Sequence, residues 1–159
     1  DVNVVLDLMI HDLDVILSLV AGKPSLVAAV GISVLTTSVD IANARIEFDT
    51  GAIANVTASR VSTNTQRKFR IFQEHQYLSI DFDAGKVQLV TQTGKPFEEQ
   101  PMLKEENWSL DKGDALAAEV AAFVNSIVED APCEVSGHDG VVALELAEKI
   151  IADIKRRKF

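Results

Sequence analysis

Asp7, His11 and Asp14 are the residues of this chain whose types and spacing could do chemistry. They fall at i, i+4 and i+7, so a helix through them lines two carboxylates and an imidazole along one face. An imidazole titrates near neutral pH and can take a proton from a reacting oxygen. A carboxylate one turn away can orient the ring or bind a neighbouring hydroxyl. The same pair has a plain structural use: Asp7, on the wet edge of an N-terminal helix, would stabilise a charged His11. The residues by themselves leave both uses open. Arg60 is the one cation in a strand of small side chains; it could meet an anionic substrate group such as a diphosphate, or simply reach water. A metal centre is not expected. Asp7 and His11 supply two ligands, a site needs at least a third, and His75 and His138 are remote in sequence. No G-x-S-x-G occurs, and Cys133 beside Pro132 reads as structural.

These side chains need elements to hold them. Residues 1–22 read as a helix, with Leu6, Ile10, Leu13 and Leu17 as its apolar stripe and Gly22-Lys23-Pro24 as its stop. Residues 26–35 form a nearly continuous apolar run, which predicts a buried strand. After the polar break at 36–39, residues 43–49 alternate: Ala44, Ile46 and Phe48 against Asn43, Arg45, Glu47 and Asp49. Asp49-Thr50-Gly51 predicts a hairpin turn into a return strand at 52–61. The small residues Ala54, Thr57, Ala58 and Ser59 would let a sheet face lie flat against another surface, or it is solvated. Further strands are predicted at 67–72, 77–82 and 86–91. Thr93-Gly94-Lys95-Pro96 ends the last of these, residues 97–107 read as acidic and irregular, and 108–110 as a short edge strand.

Two helices follow. Asp114 caps the first, with Leu116, Val120, Phe123 and Ile127 as its stripe and Asp130-Ala131-Pro132 as its stop. Ser136 and Asp139 make a loose capping box for the second, whose stripe is Val142, Leu146, Ile150 and Ile154. Lys155-Arg156-Arg157-Lys158 suits the negative end of that helix. Helix, five or six strands and two helices predict an α+β fold: an open, mostly antiparallel sheet with helices covering one face.

Length and charge bound the function. The 159 residues suit one domain with a real core. A net charge of -9 opposes nucleic acid and anionic membrane alike. No uncharged apolar run is long enough to span a bilayer, and no basic secretory leader is present. One cysteine excludes an internal disulfide framework and fits a reducing cytoplasm. The chain begins without Met, directly at a helix, which suggests a part of a longer protein.

The stretch Asp7-Leu8-Met9-Ile10-His11-Asp12-Leu13-Asp14 resembles the catalytic helix of the glucose–fructose oxidoreductase / inositol dehydrogenase (Gfo/Idh/MocA) family. The glycines that usually open that motif are replaced here by Val2 and Asn3. The resemblance continues through residues 39–62, 114–127 and 132–150, nearly the whole chain. It implies a dihydrodipicolinate-reductase-like C-terminal domain, the substrate-binding and oligomerisation half of an NAD- or NADP-dependent oxidoreductase acting on a sugar, cyclitol or nucleotide sugar. Among family members, the wording is most similar to bacterial proteins acting on nucleotide sugars. By that resemblance His11 is the acid–base group and Asp7 its partner; Arg60 and Asp14 are candidate substrate-binding residues, Asp14 otherwise a supporting residue on the helix surface. The cofactor would sit on an N-terminal Rossmann domain, with a lysine from a Glu-Lys-Pro motif. No G-x-G-x-x-G occurs here, and Gly22-Lys23-Pro24 and Gly94-Lys95-Pro96 lack the glutamate. The piece by itself is therefore expected to be inactive, and its open sheet face is expected to pair subunits into a homo-oligomer. Two other classes remain: an assembly or regulatory module that kept the fold, and a small metal-dependent hydrolase using Asp7 and His11.

Overall fold

A computed structural model describes residues 2–94, 102–111 and 113–157. The α+β class holds. A π-turn at Val5–Met9 runs into α1 (Ile10–Leu19), seven strands follow, and α2 (Ala115–Val128) and α3 (Gly137–Arg156) close the chain. The strands are β1 (Pro24–Ile32), β2 (Ile41–Phe48), β3 (Ile53–Ser59), β4 (Lys68–Gln73), β5 (Gln76–Asp81), β6 (Lys86–Thr93) and β7 (Met102–Ser109). They form two antiparallel sheets, β1-β2-β3 and β4-β5-β6-β7, where the sequence suggested one. The link between β3 and β4 is polar, with Ser62, Thr63, Asn64, Thr65 and Gln66 offering no face to a ladder. Contacts divide the chain into two compact units, residues 1–62 with 122–159, and residues 63–121.

In the first unit the alternation of β2 sets the register. Ala42 faces Ala58, Ala44 faces Val56 and Ile46 faces Ala54. Ala42, Ala44, Ile46, Phe48, Val56 and Ala58 are buried, as the period of two requires. Helix α3 packs against β1 and α1, and the π-turn against β3. Leu146 and Ile150 are almost wholly buried, each worth about 1.5–3 kcal/mol of transfer free energy. The capping box at Ser136 forms as expected: its hydroxyl accepts from the Asp139 N–H, and the Asp139 carboxylate accepts from the Ser136 N–H. Gly31 lets α3 approach; a Cβ there would sit 2.7 Å from a Val39 methyl and 3.1 Å from Ile154.

Four expectations shift here. The buried stripe of the first helix is Val5, Met9, Leu13 and Ile16, not Leu6, Ile10, Leu13 and Leu17. Apolar residues surround this helix, so several stripes share the same period and only packing selects among them. The helix stops at Leu19, and Gly22, at φ +97°, instead makes the turn into β1. Strand β1 is an edge strand with Leu26, Val30 and Ile32 about half or more exposed, rather than a buried strand. Ala58 is buried and Ala54 shares its inner face, while Ile53, Asn55, Thr57 and Ser59 form the outer face of β3. Of the four small residues, Ala54 and Ala58 therefore face inward, and Thr57 and Ser59 outward.

The second unit centres on a four-stranded meander, joined at Glu74-His75, where His75 takes φ 63°, and at Asp83-Ala84-Gly85. Residues 102–109 are a full strand, β7, paired along the length of β6. Its charges hid it: Lys104, Glu105 and Glu106 read as loop, yet Gln88 Nε2 donates to Glu105 Oε1 across the ladder at 2.8 Å. The Lys95-Pro96 turn, the irregular stretch at 97–101 and Lys158 lie outside the described residues. Helix α2 forms over the expected residues, but Leu116, Val120, Phe123 and Ile127 are 55–70% exposed. A helical period announces an apolar stripe without saying what covers it.

Candidate active site

The chain reaches α1 through a wide turn. Asn3 stands where the resembling motif has glycine, and its side-chain oxygen accepts the Val5 N–H at 2.9 Å. Its carbonyl accepts from Leu6 and Asp7 N–H. The Ile10 N–H then donates to Val5 O, five residues back, which makes the turn π rather than α. Val4 N–H donates to Val39 O at 3.0 Å, tying the turn to the segment before β2. Val4, Val5 and Met9 are fully buried beneath it, so the turn is fixed from below.

Asp7 and Leu8 on the turn, and His11 one step into α1, point to solvent. The imidazole is therefore open to a partner, not shut beneath the strands. Asp14, further along α1, is half-buried. Asp7 and His11 form no hydrogen bond with each other among the described residues. The Asp7 carboxylate instead meets Arg60, Oδ2 to Nη2 at 3.3 Å. The Arg60 guanidinium also donates to the Val2 carbonyl and lies 3.9 Å from Asp40 Oδ1. Arg60 is thus engaged by two carboxylates rather than reaching freely into water; its side chain is 21% exposed.

Asp40 is the residue that sequence reading missed. It is fully buried. Its Oδ2 accepts the N–H groups of Val34, Leu35 and Thr36 at 2.7–2.8 Å, and its Oδ1 accepts the Thr36 hydroxyl at 2.8 Å. The Thr36 N–H first, with those of Leu35 and Val34, holds this carboxyl well below the usual range against the opposing effect of burial. The available cue was an acid closing a Thr-Thr-Ser break; the identity of the donors was not in the pattern. Two concavities, one between the start of β1 and the end of α3, the other around Phe82 and Leu110, include neither Asp7 nor His11.

The first unit is thus an α+β domain in which a helix carrying an exposed carboxylate and imidazole lies beside an antiparallel sheet. Residues 2–79 match the model of the GFO/IDH/MocA C-terminal domain. The UDP-N-acetylglucosamine 3-dehydrogenase of Acidithiobacillus ferrooxidans is 36% identical over 150 residues, covering 94% of this chain and 48% of that protein. A crystal form of that enzyme superposes with a TM-score of 0.89 at 35% identity, over 98% of this chain and 50% of its own. At 18% identity, levoglucosan dehydrogenase in complex with NADH and L-sorbose shares the fold, with a TM-score of 0.79 over 96% of this chain and 48% of its own. The chain belongs to the GFO/IDH/MocA family as a C-terminal domain. It spans about half the length of the curated relative it matches.

Proposed function

We propose that residues 1–159 are the substrate-binding and oligomerisation domain of an NAD- or NADP-dependent oxidoreductase acting on a hydroxyl of a sugar, cyclitol or nucleotide sugar. The exposed Asp7–His11 turn carries this reading. Oxidising a secondary alcohol takes a hydride from carbon and a proton from oxygen. The imidazole of His11 accepts the proton, a task for a group that titrates near neutrality. We assign Asp7, on the turn just before His11, to orient the ring or to bind a neighbouring substrate hydroxyl. We assign the half-buried Asp14 to a further substrate hydroxyl. The activity named for the A. ferrooxidans relative supports a UDP-N-acetylglucosamine 3-dehydrogenase-like specificity.

The described residues do not fit the cofactor. Every described strand pairing is antiparallel, and no glycine-rich strand-to-helix turn is present. We assign NAD(P) to polypeptide outside this chain, so the chain is inactive alone. Among the described residues no helix is long and apolar enough to cross a membrane. We place the protein in the cytoplasm, supported by its single free Cys133. Subunit pairing is assigned to the outer face of β1-β2-β3, where Leu26, Val30, Ile32 and Ile53 are 48–63% exposed.

The test is the full-length protein assayed for reduced nicotinamide with a panel of nucleotide sugars, then repeated with His11→Ala. The variant should lose about a hundredfold or more in kcat. Wild-type turnover by His11→Ala would end the acid–base assignment. Light scattering should give a dimer or larger, and a monomer at high concentration would remove the assembly role.

A further inference from the structure

Arg60 follows directly on β3, and its backbone N–H donates to Asp40 O at 3.0 Å. Its guanidinium then spans three partners: the Val2 carbonyl, Asp7 Oδ2 at 3.3 Å, and Asp40 Oδ1 at 3.9 Å. The Nε atom is buried and makes no hydrogen bond, so the group is held on the Asp40 side by charge and packing alone. Asp40 cannot follow a moving arginine, because three N–H groups and a hydroxyl fix its carboxylate. The planar fork of an arginine transmits that fixed position to a second acid better than a flexible ammonium would. Asp7 has no comparable support of its own. Its side chain is 53% exposed and sits on the π-turn, whose pitch differs from the α-helix that follows.

With two carboxylates on one cation, Arg60 has no unmatched charge left for a substrate anion. We propose that Arg60, anchored by the buried Asp40, is a positioning residue that fixes the Asp7 carboxylate on the exposed turn leading to His11, and is not itself a substrate contact. This rests on the acid–base reading of Asp7 and His11. A half-exposed ion pair contributes little to folding stability, so the effect of losing it belongs in the rate.

The test is a double-mutant cycle in the full-length protein with Asp7→Asn, Arg60→Ala and both together, reading kcat and the KM for the sugar separately. Arg60→Ala should lower kcat about tenfold or more, as small misplacements of catalytic groups do, with KM nearly unchanged. The double variant should match Asp7→Asn alone, because Arg60 reaches the rate only through Asp7. Arg60→Lys keeps charge beside Asp40 without the fork; it should show the same kcat loss in milder form. It also carries the cycle if Arg60→Ala does not fold. A raised KM with kcat intact in the Arg60 variant, or losses that multiply in the double, overturns the positioning role while the acid–base reading stands. Full turnover in Asp7→Asn removes both.

Discussion

Gly22→Ala is a sharp probe of how the helix bearing His11 is delivered to the sheet. Gly22 has φ +97°, and a Cβ there would lie 2.2 Å from Asp49 Oδ1 and 2.7 Å from Thr50 Cγ2. Both neighbours hold the turn: Asp49 Oδ1 accepts the Lys23 N–H at 2.9 Å, and the Thr50 hydroxyl donates to Ala21 O at 2.9 Å. Left-handed backbone costs an alanine about 1–2 kcal/mol. Displacing the two side chains removes two exposed hydrogen bonds, about 0.5–1.5 kcal/mol each. The total is about 2–5 kcal/mol, read as a fall of about 1–2 M in the urea midpoint. Asp49→Ala removes the closest clash, so the double variant should cost less than the two singles added together. A loss under about 1 kcal/mol for Gly22→Ala, or strict additivity with Asp49→Ala, would refute the steric argument.

Asp153 is held down at about 2, first by the Ala29 N–H, with Arg156 and Arg157 also lowering it against burial. Asp40 is depressed too. Folded values below the unfolded one mean that both contributions are complete above about pH 4 and are lost as pH falls through the folded values. The melting temperature should be flat from about pH 8 to 5 and fall below about pH 4, with a shallower acid limb in Asp153→Asn; an unchanged acid limb would speak against the linkage. Ser136→Ala breaks the capping box and should cost about 1 kcal/mol by urea unfolding, and no change would mean that the α3 N-terminus is satisfied otherwise.

Much of this molecule was legible because period and turn chemistry are local. The faces of β2 follow from Ala44, Ile46 and Phe48, and the start of α3 from Ser136 and Asp139. What escaped is set by partners distant in sequence. The choice between Leu6 and Val5 as the buried side of the first helix depends on what packs there, not on spacing. The spacing of Asp7 and His11 is visible along the chain, but the contact between Arg60 and Asp7 joins residues 53 apart, and a pattern search along the chain does not cross that gap. The β7 ladder was hidden for a related reason: its stabilising pairs are polar, and polarity alone looks like loop.

The carboxylate of Asp153 occupies the place on β1 where an incoming strand would offer its carbonyl, taking the Ala29 N–H at 2.8 Å. A side chain from a helix is thereby the stopper of an otherwise extendable ribbon. Pairing of another strand at that margin is opposed near its midpoint. Protonating this one acid leaves a weaker acceptor for the Ala29 N–H, so the stopper is firmest when Asp153 is ionised.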